Sequence, residues 1–402
     1  MKWLSENVAA VAQVFNGKTP SRDEQRAAGH AVLKIKDVDE FGCFRGTFSG
    51  FVDHALAEKH RKKQILGGET LVLNAAHSAS HVASKTFFAA NAVVGAIATG
   101  EWLVVRWDKS KVDERYGNHW INSTDTRFKL RQLINGIHLY PRDVGGLEIP
   151  LPPLPEQKRI AGILDAADAL RAKRREALAQ LDTLLQSTFL DMFGDPIINP
   201  MSFPIRTLSD FYVNERDGTK CGPFGSALKK DELVESGIPV WNMDNIDPVG
   251  RPVFPFRMWI TQEKFRNLKA YTVIDGDVII SRAGTVGKMC VAKSDADASV
   301  ISTNLIRVRF GPELLPIYFV SLMTYCKGRV GRLKTGPDGA FTHMSTGVLD
   351  KLRFPYPPMD LQHRFAAIVE SVEQQKARMR AHLTELDALF ASLQSRAFSG
   401  TL

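Results

Sequence analysis

The 402-residue chain has no uninterrupted apolar run of roughly 18 to 20 residues, the length a helix needs to cross a bilayer, which excludes a membrane-spanning helix. Its opening residues, Met1 to Asn7, place Glu6 in the first turn and lack an apolar core ending at a small-residue cleavage site. No secretory signal is read there, and a cytoplasmic location is expected. The four cysteines, Cys43, Cys221, Cys290 and Cys326, include no Cys-x-x-Cys pair, which argues against a zinc ribbon, a redox dithiol or a disulfide framework. Catalytic signatures are missing too. There is no Gly-x-Ser-x-Gly elbow and no dinucleotide fingerprint, and Asn199-Pro200-Met201-Ser202 lacks the second proline and the aromatic of the amino-methyltransferase motif. The string from Arg282 to Met289 imitates a phosphate loop, but Arg282 stands where its first glycine is required and Met289 where a magnesium-binding hydroxyl is required. His77 and His81 are spaced for one helix face without a third ligand at zincin spacing, so no metal is expected. A non-catalytic chain without a cofactor of its own is expected.

What the chain does have is a repeat. Leu147-Glu-Ile-Pro-Leu-Pro-Pro-Leu-Pro-Glu-Gln-Lys-Arg159 returns as Leu352-Arg-Phe-Pro-Tyr-Pro-Pro-Met-Asp-Leu-Gln-His-Arg364. At the same offset of 205, Ala161 matches Ala366, Ile163 matches Ile368, Leu181-Asp182 matches Leu386-Asp387, and Leu184 matches Leu389. Upstream, at an offset of 208, the stretch from Val32 aligns with that from Val240, and Leu66-Gly-Gly-Glu-Thr with Ile274-Asp-Gly-Asp-Val. A period of this kind implies one structural unit used twice. The boundaries read from it are a globular part over 1–150, a proline lead-in and helix over 151–194, a second globular part over 195–355 and a second helix over 356–402.

Pro150, Pro152, Pro153 and Pro155 cannot lie in a helix interior, because proline lacks the amide donor and clashes with the preceding turn. A helix is therefore predicted from Glu156 to about Met192. Ile163, Ala167, Leu170, Leu181 and Leu184 recur at steps of three and four along it, and Ile368, Val372, Met379, Leu386 and Leu389 hold equivalent positions in the second copy. Two stripes in one register, each flanked by charge (Arg171, Lys173, Arg174, Arg175; Lys376, Arg378, Arg380), predict that the helices pair with each other as an antiparallel coiled coil, with the basic runs as solvated faces.

The globular parts read as mixed α+β, richer in strand than helix. "TVIDGDVIISR" and "VISTNLIRVRF" are predicted strands in the second half, echoed by "QILGGETLVLN" and "GEWLVVRW" in the first. A net charge of +8 suits a polyanionic partner. Candidate DNA-facing residues lie in loops at equivalent places: Asn74, His77, Ser78, Ser80, His81 and Lys85 in the first half, Arg282, Thr285 and Lys288 in the second. Arg127 and Lys129 add charge to the first half, and Arg329, Arg332 and Lys334 lie in a glycine-rich stretch of the second. Arg61, Lys62 and Lys63 are further basic groups. Arginine is the commonest reader of guanine, and both basic types neutralise phosphate. From the residues alone, two other classes stay open: a solitary DNA nuclease or methyltransferase with a cryptic site, and a coiled-coil protein scaffold that binds no DNA.

The paired "PLPPLPEQKRIAGILDAADAL" lead-in, "FNGKTPS" followed by "AVLKIKDVDEFG", and the "GDVIISRAG" strand and turn together resemble the DNA-specificity subunit of type I restriction-modification enzymes over essentially the whole length. The second lead-in departs from the pattern, with Asp360-Leu361 where the first has Pro155-Glu156. The first half has no basic equivalent of Arg282. The resemblance implies two pseudo-symmetric target recognition domains, each reading one half of a split double-stranded DNA target, with the coiled coil fixing the gap. It further implies two methyltransferase subunits docked on the helices, a restriction and motor subunit joining them, and S-adenosylmethionine, magnesium and ATP bound by those partners.

Overall fold

The computed structural model describes residues 3–224, 227–247, 249–283, 286–325 and 344–402. It divides into two compact units, Met1–Glu176 with Met379–Leu402, and Ala177–Arg378. No described helix is long and apolar enough to cross a membrane.

In chain order the first unit contains β1 (Ser5–Asn7), α1 (Val8–Val11), β2 (Ala12–Asn16), β3 (Gln25–Arg26), β4 (His30–Leu33), β5 (Phe51–Val52), α2 (His54–Lys59), β6 (Thr70–Leu73), β7 (Thr86–Phe88), β8 (Ile97–Ala98), β9 (Trp102–Trp107), α3 (Glu114–Ile121), α4 (Thr124–Gln132), α5 (Pro141–Gly145), β10 (Glu148–Pro150) and the start of α6 (Leu154–Phe193). The second contains the end of α6, then β11 (Ile205–Thr207), β12 (Thr219–Cys221), β13 (Ile238–Trp241), β14 (Trp259–Ile260), α7 (Gln262–Asn267), β15 (Thr272–Val273), β16 (Val278–Ser281), β17 (Met289–Val291), β18 (Ser299–Ile301), β19 (Leu305–Val308), α8 (Pro316–Tyr325), α9 (Thr346–Asp350), β20 (Arg353–Pro355) and the start of α10 (Met359–Ser399).

The two topologies repeat closely. A sheet ordered β2-β9-β6-β7 in the first unit corresponds strand for strand to β12-β19-β16-β17 in the second, and β5-β4-β8 corresponds to β14-β13-β18; β3 and β15 are matched in the other unit only by the isolated bridges Val234–Trp259 and Gln64–Ile97. Each second sheet holds one parallel pair, Val32 beside Ile97 and Val240 beside Val300. The central strands are largely apolar because both faces of the sheet are covered, with Arg106 in β9 and Arg307 in β19 as the charged exceptions. In β9, Leu103 and Val105 face one cluster, with Val8, Tyr116 and Leu164, whereas Trp102 and Val104 face another, with Leu33 and Phe87. In β16, Val278 and Ile280 join Phe189 and Phe365, while Ile279 joins Trp241. The expected single strand "VISTNLIRVRF" is two: Ser302 to Asn304 turn the chain from β18 in one sheet to β19 in the other. Both pieces are fully buried, so apolar content alone hid the break.

Each helix enters its unit through the same joint. β1 pairs antiparallel with β10, Ser5 facing Pro150, and β11 with β20, Ile205 facing Pro355. The Tyr116 hydroxyl donates to the Pro150 carbonyl at 2.7 Å, as Tyr318 does to Pro355 at 2.7 Å. One turn into each helix sits a buried glutamine. Gln157 Oε1 accepts from the Asp113 amide at 2.8 Å, and its Nε2 donates to the carbonyls of Lys111 and Pro152. Gln362 accepts from the Leu315 amide at 3.0 Å and donates to Pro357 at 3.0 Å.

The helices are 40 and 41 residues long, about 60 Å each at about 1.5 Å per residue. In the first unit Arg159 donates to the Leu402 carbonyl at 3.1 Å and Arg171 pairs with Asp387 at 2.6 Å. In the second, Asp182 pairs with Lys376 and the rings of Phe193 and Phe365 lie 5.4 Å apart. Rising numbers on α6 meet falling numbers on α10 in both, so the helices pack antiparallel. The buried line differs from the expected stripe. Val372 is buried, and Ile163, Ala167, Leu181, Met379 and Leu386 are half-buried, but Leu170, Leu184, Ile368 and Leu389 are 55%, 49%, 36% and 51% exposed. Ile160, Leu164, Leu185, Phe189, Phe193, Phe365 and Ala397 take the inward positions. An α-helix drifts about 20° per heptad against a strict seven-residue repeat, and each helix end also faces a globular core, which moves the buried face off the single stripe. The basic runs are corrected as well: Lys376 is fully buried and Arg171 is 18% exposed, both in the seam.

Replacing Gln157 or Gln362 by leucine strands a buried amide and carbonyls and should cost about 2 to 4 kcal/mol. Urea unfolding of the two variants checks this; midpoints equal to that of the parent would contradict it.

Candidate nucleic-acid interface

Each unit has a tight turn where its first long strand ends, and this turn brings several predicted residues together. In the first unit Gly17 follows β2; its amide donates to the Trp102 carbonyl at 2.9 Å, and a Cβ there would collide with the carbonyls of Ala98 and Thr99. In the second, the Gly222 amide donates to the Leu305 carbonyl at 2.8 Å, and a Cβ would collide with the Ser302 carbonyl. Only glycine permits this approach of two backbones.

Beside each turn, one residue past the next central strand, stands an equivalent pair of positions. The Asn74 amide donates to Glu101 at 2.9 Å and its carbonyl accepts from Leu139 at 2.8 Å; the Arg282 amide donates to Asn304 at 2.9 Å and its carbonyl accepts from Met344 at 3.1 Å. Asn74 is buried, its Nδ2 donating to Asn16 Oδ1 at 2.9 Å while its own Oδ1 finds no partner. Arg282 lies 4.7 Å over the ring of the exposed Phe224, and one enclosed guanidinium nitrogen has no hydrogen-bond partner among the described residues. A guanidinium over an aromatic ring is a cation–π contact that restrains the side chain at the surface.

The remaining predicted residues separate by burial. His77 is exposed, and Ser78 joins Ser80 at 2.9 Å and His81 Nδ1 at 2.7 Å, forming an accessible polar loop. Lys85 donates to the Val38 carbonyl at 2.8 Å, and Arg127 donates to the Ser84 carbonyl at 2.8 Å, so both hold that loop in place. Burial, then the neighbouring Arg131, lowers the Arg127 guanidinium below its ordinary pKa. Lys129 pairs with Asp125 at 2.7 Å on an exposed helix face, and Lys288 is half-buried. Asn74 is corrected from a loop residue to a core one, because the paired Asn16 amide accommodates it inside the unit. Thr285, Arg329, Arg332 and Lys334 lie outside the described residues.

Sequence reasoning passed over Lys18 and His60. Lys63 Nζ donates to the carbonyls of Asn16 and Gly17 at 3.0 and 3.3 Å, which brings the basic run after α2 onto the glycine turn. Partial burial first, and then the nearby Lys18, Lys59 and Lys63, depress the His60 imidazole below its ordinary pKa. The run Lys59 to Lys63 was a legible signal; its meeting with Lys18 depends on the fold. The arrangement supplies cations, backbone amides and planar side chains suited to phosphate and base edges. Among the described residues no group of three or more metal-ligating side chains comes together.

The duplicated α+β units and the two long antiparallel helices define a two-domain fold. No protein-family model matches the chain. A type I restriction enzyme specificity subunit of Methanocaldococcus jannaschii, MjaX, is 21% identical over 399 residues, covering 92% of this chain and 87% of its own. The MjaVIII specificity subunit of the same organism is 21% identical over 278 residues, covering 66% and 65%. Among solved structures, a chain from work on complex assembly and conformational transition of the type I restriction-modification system superposes with a TM-score of 0.56 at 16% identity, covering 100% of this chain and 98% of that one. The type I restriction-modification S subunit from M. genitalium gives a TM-score of 0.54 at 16% identity, covering 99% and 96%. Both curated relatives are type I restriction enzyme specificity subunits, and the likeness to the solved chains extends over the full length of the fold.

Gly17→Ala and Gly222→Ala should each destabilise their unit by about 2 to 4 kcal/mol, since backbone rather than a flexible side chain must move. Thermal unfolding tests this; unchanged transitions would show that the turns relax freely.

Proposed function

We propose that this chain directs a type I restriction-modification complex to a bipartite site on double-stranded DNA, residues 1–150 reading one half-site and 195–355 the other, while the helices over 151–194 and 356–402 set the gap. The observation that carries this reading is the duplication itself. Two copies of one fold present a glycine turn beside a residue with a buried polar atom unpartnered among the described residues, Asn74 in one and Arg282 in the other. Phosphate contacts from the Lys18, Lys59 and Lys63 cluster would position the first domain, and the His77 to His81 loop is the accessible polar surface for base edges. In the second domain Arg282, placed over the Phe224 ring, is the residue best suited to a guanine or a phosphate.

Leu170, Leu184, Ile368 and Leu389 leave apolar surface exposed along the helices, which supports docking of two methyltransferase subunits there, with a restriction and motor subunit joining the assembly. S-adenosylmethionine, magnesium and ATP belong to those partners, and the complex works in the cytoplasm. Splitting a site in two multiplies the specificities of the domains, and the fixed gap adds a geometric condition.

In the complete complex, Arg282→Ala should weaken methylation of cognate DNA by about tenfold or more and relax preference in one half-site only, since a good bidentate contact is worth about 1 to 3 kcal/mol. Methylation assays on substrates scanned through each half-site measure it, and an unchanged preference would remove Arg282 from the interface. Inserting four residues after Arg174 together with four after Met379 adds about one turn, about 5.4 Å, to each helix. The preferred gap should lengthen with both half-sites kept; altered half-sites at the old gap would contradict the reading.

A further inference from the structure

Both units carry the same acid-base-acid arrangement across the two long helices. In the first, Arg171 of α6 pairs with Asp387 of α10 at 2.6 Å and with Asp168, one turn back on its own helix, at 2.6 Å. In the second, Lys376 of α10 pairs with Asp182 of α6 and with Glu373, one turn back on its own helix, at 2.9 Å. The 205-residue repeat places Arg171 on Lys376, Asp168 on Glu373 and Asp182 on Asp387. The two arrangements are thus one device, with the roles of the helices exchanged. A second basic residue, an arginine, completes each: Arg175 reaches Asp387 at 3.1 Å, whereas in the second unit Arg251, from a loop of the globular part, reaches Asp182 and, at 3.1 Å, Glu373.

An apolar seam can slip by one helical turn and still bury apolar surface, but a seam with enclosed charges cannot. The Lys376 side chain has no exposed surface and that of Arg171 is 18% exposed. A slip of one turn would set Lys376 against Leu178 or Leu185 in place of Asp182, and Arg171 against Leu383 or Phe390 in place of Asp387. Removing the partner of a buried charge costs about 3 to 5 kcal/mol, so each slip is opposed at two places. Partial burial alone would raise the Asp182 carboxyl; Lys376 and Arg251 hold it below the usual carboxylate range.

We propose that the pairs Arg171–Asp387 and Lys376–Asp182 fix the register of the two helices and are therefore positioning residues that determine the length of the DNA gap. This rests on the gapped-site reading above. The test uses the complete complex with its methyltransferase subunits on a plasmid library in which the two half-sites are separated by every gap from short to long. The variant D182L/K376M/R171M/D387L replaces both pairs with apolar side chains of similar size, which commonly preserves stability. The exchange R171K/K376R keeps both pairs.

The four-substitution variant should keep its helical circular dichroism while its discrimination between the parent gap and neighbouring gaps falls by about tenfold or more. The exchange variant should keep the single parent gap. If the four-substitution variant loses helicity, D182L/K376M with the other pair intact takes its place, with the same broadening expected. A variant without the pairs that remains folded and selects the parent gap as sharply as the parent overturns the proposal. A parent complex that methylates no gapped site instead overturns the reading on which it rests.

Discussion

A buried glutamine joins each globular part to its long helix. Gln157 and Gln362 sit one turn into their helices, where both faces of the side-chain amide are used on backbone groups that the proline lead-in and the adjoining loop would otherwise leave unsatisfied. Prolines at 150, 152 and 153 remove donors from the chain just before the helix, and their carbonyls still require partners. Tyr116 and Tyr318 supply one, and the glutamines supply another. The joint is stiff because it is hydrogen-bonded on several sides at once. Any account in which the helices carry spatial information to the recognition domains depends on that stiffness.

Between the joints the helices face a different problem. Near the second joint the seam is aromatic: Phe365 packs edge-to-face on Phe189 and Phe193, Phe193 edge-to-face on Tyr318, and Phe189 stacks on Tyr318, each ring contributing on the order of 1.5 to 3 kcal/mol of burial. Toward the middle of α6 the inward positions are charged, and the charges are matched in pairs that the repeat relates to one another. Apolar ends and ionic middles divide the work between stability and register.

The repeat, the proline lead-ins, the two long helices and the α+β character were legible in the sequence, because each rests on local chemistry or on self-comparison. The turn of chain between Ser302 and Asn304 was not, since both flanking strands are buried and nothing in their composition marks the change of sheet. Reading apolar spacing alone also misplaced part of the seam. Leu170, Leu184, Ile368 and Leu389 fit a heptad yet point outward, and Arg171 and Lys376 looked like solvated charge yet lie inside. The register of Asp182 with Asp387 held the clue, but its meaning depends on a partner almost two hundred residues away, here Lys376. The loop residues divided for a similar reason. Asn74 and Arg282 are equivalent in backbone geometry, but whether a side chain at that position turns inward depends on Asn16 in one half and Phe224 in the other. Such tertiary partners leave no spacing signal.

The most direct test of the central claim is to map methylated adenines across the genome of a cell expressing this chain with its methyltransferase subunits. The account predicts a single motif of two short defined blocks separated by an unspecified gap of one length. An uninterrupted motif, or two blocks found at many separations, would contradict it.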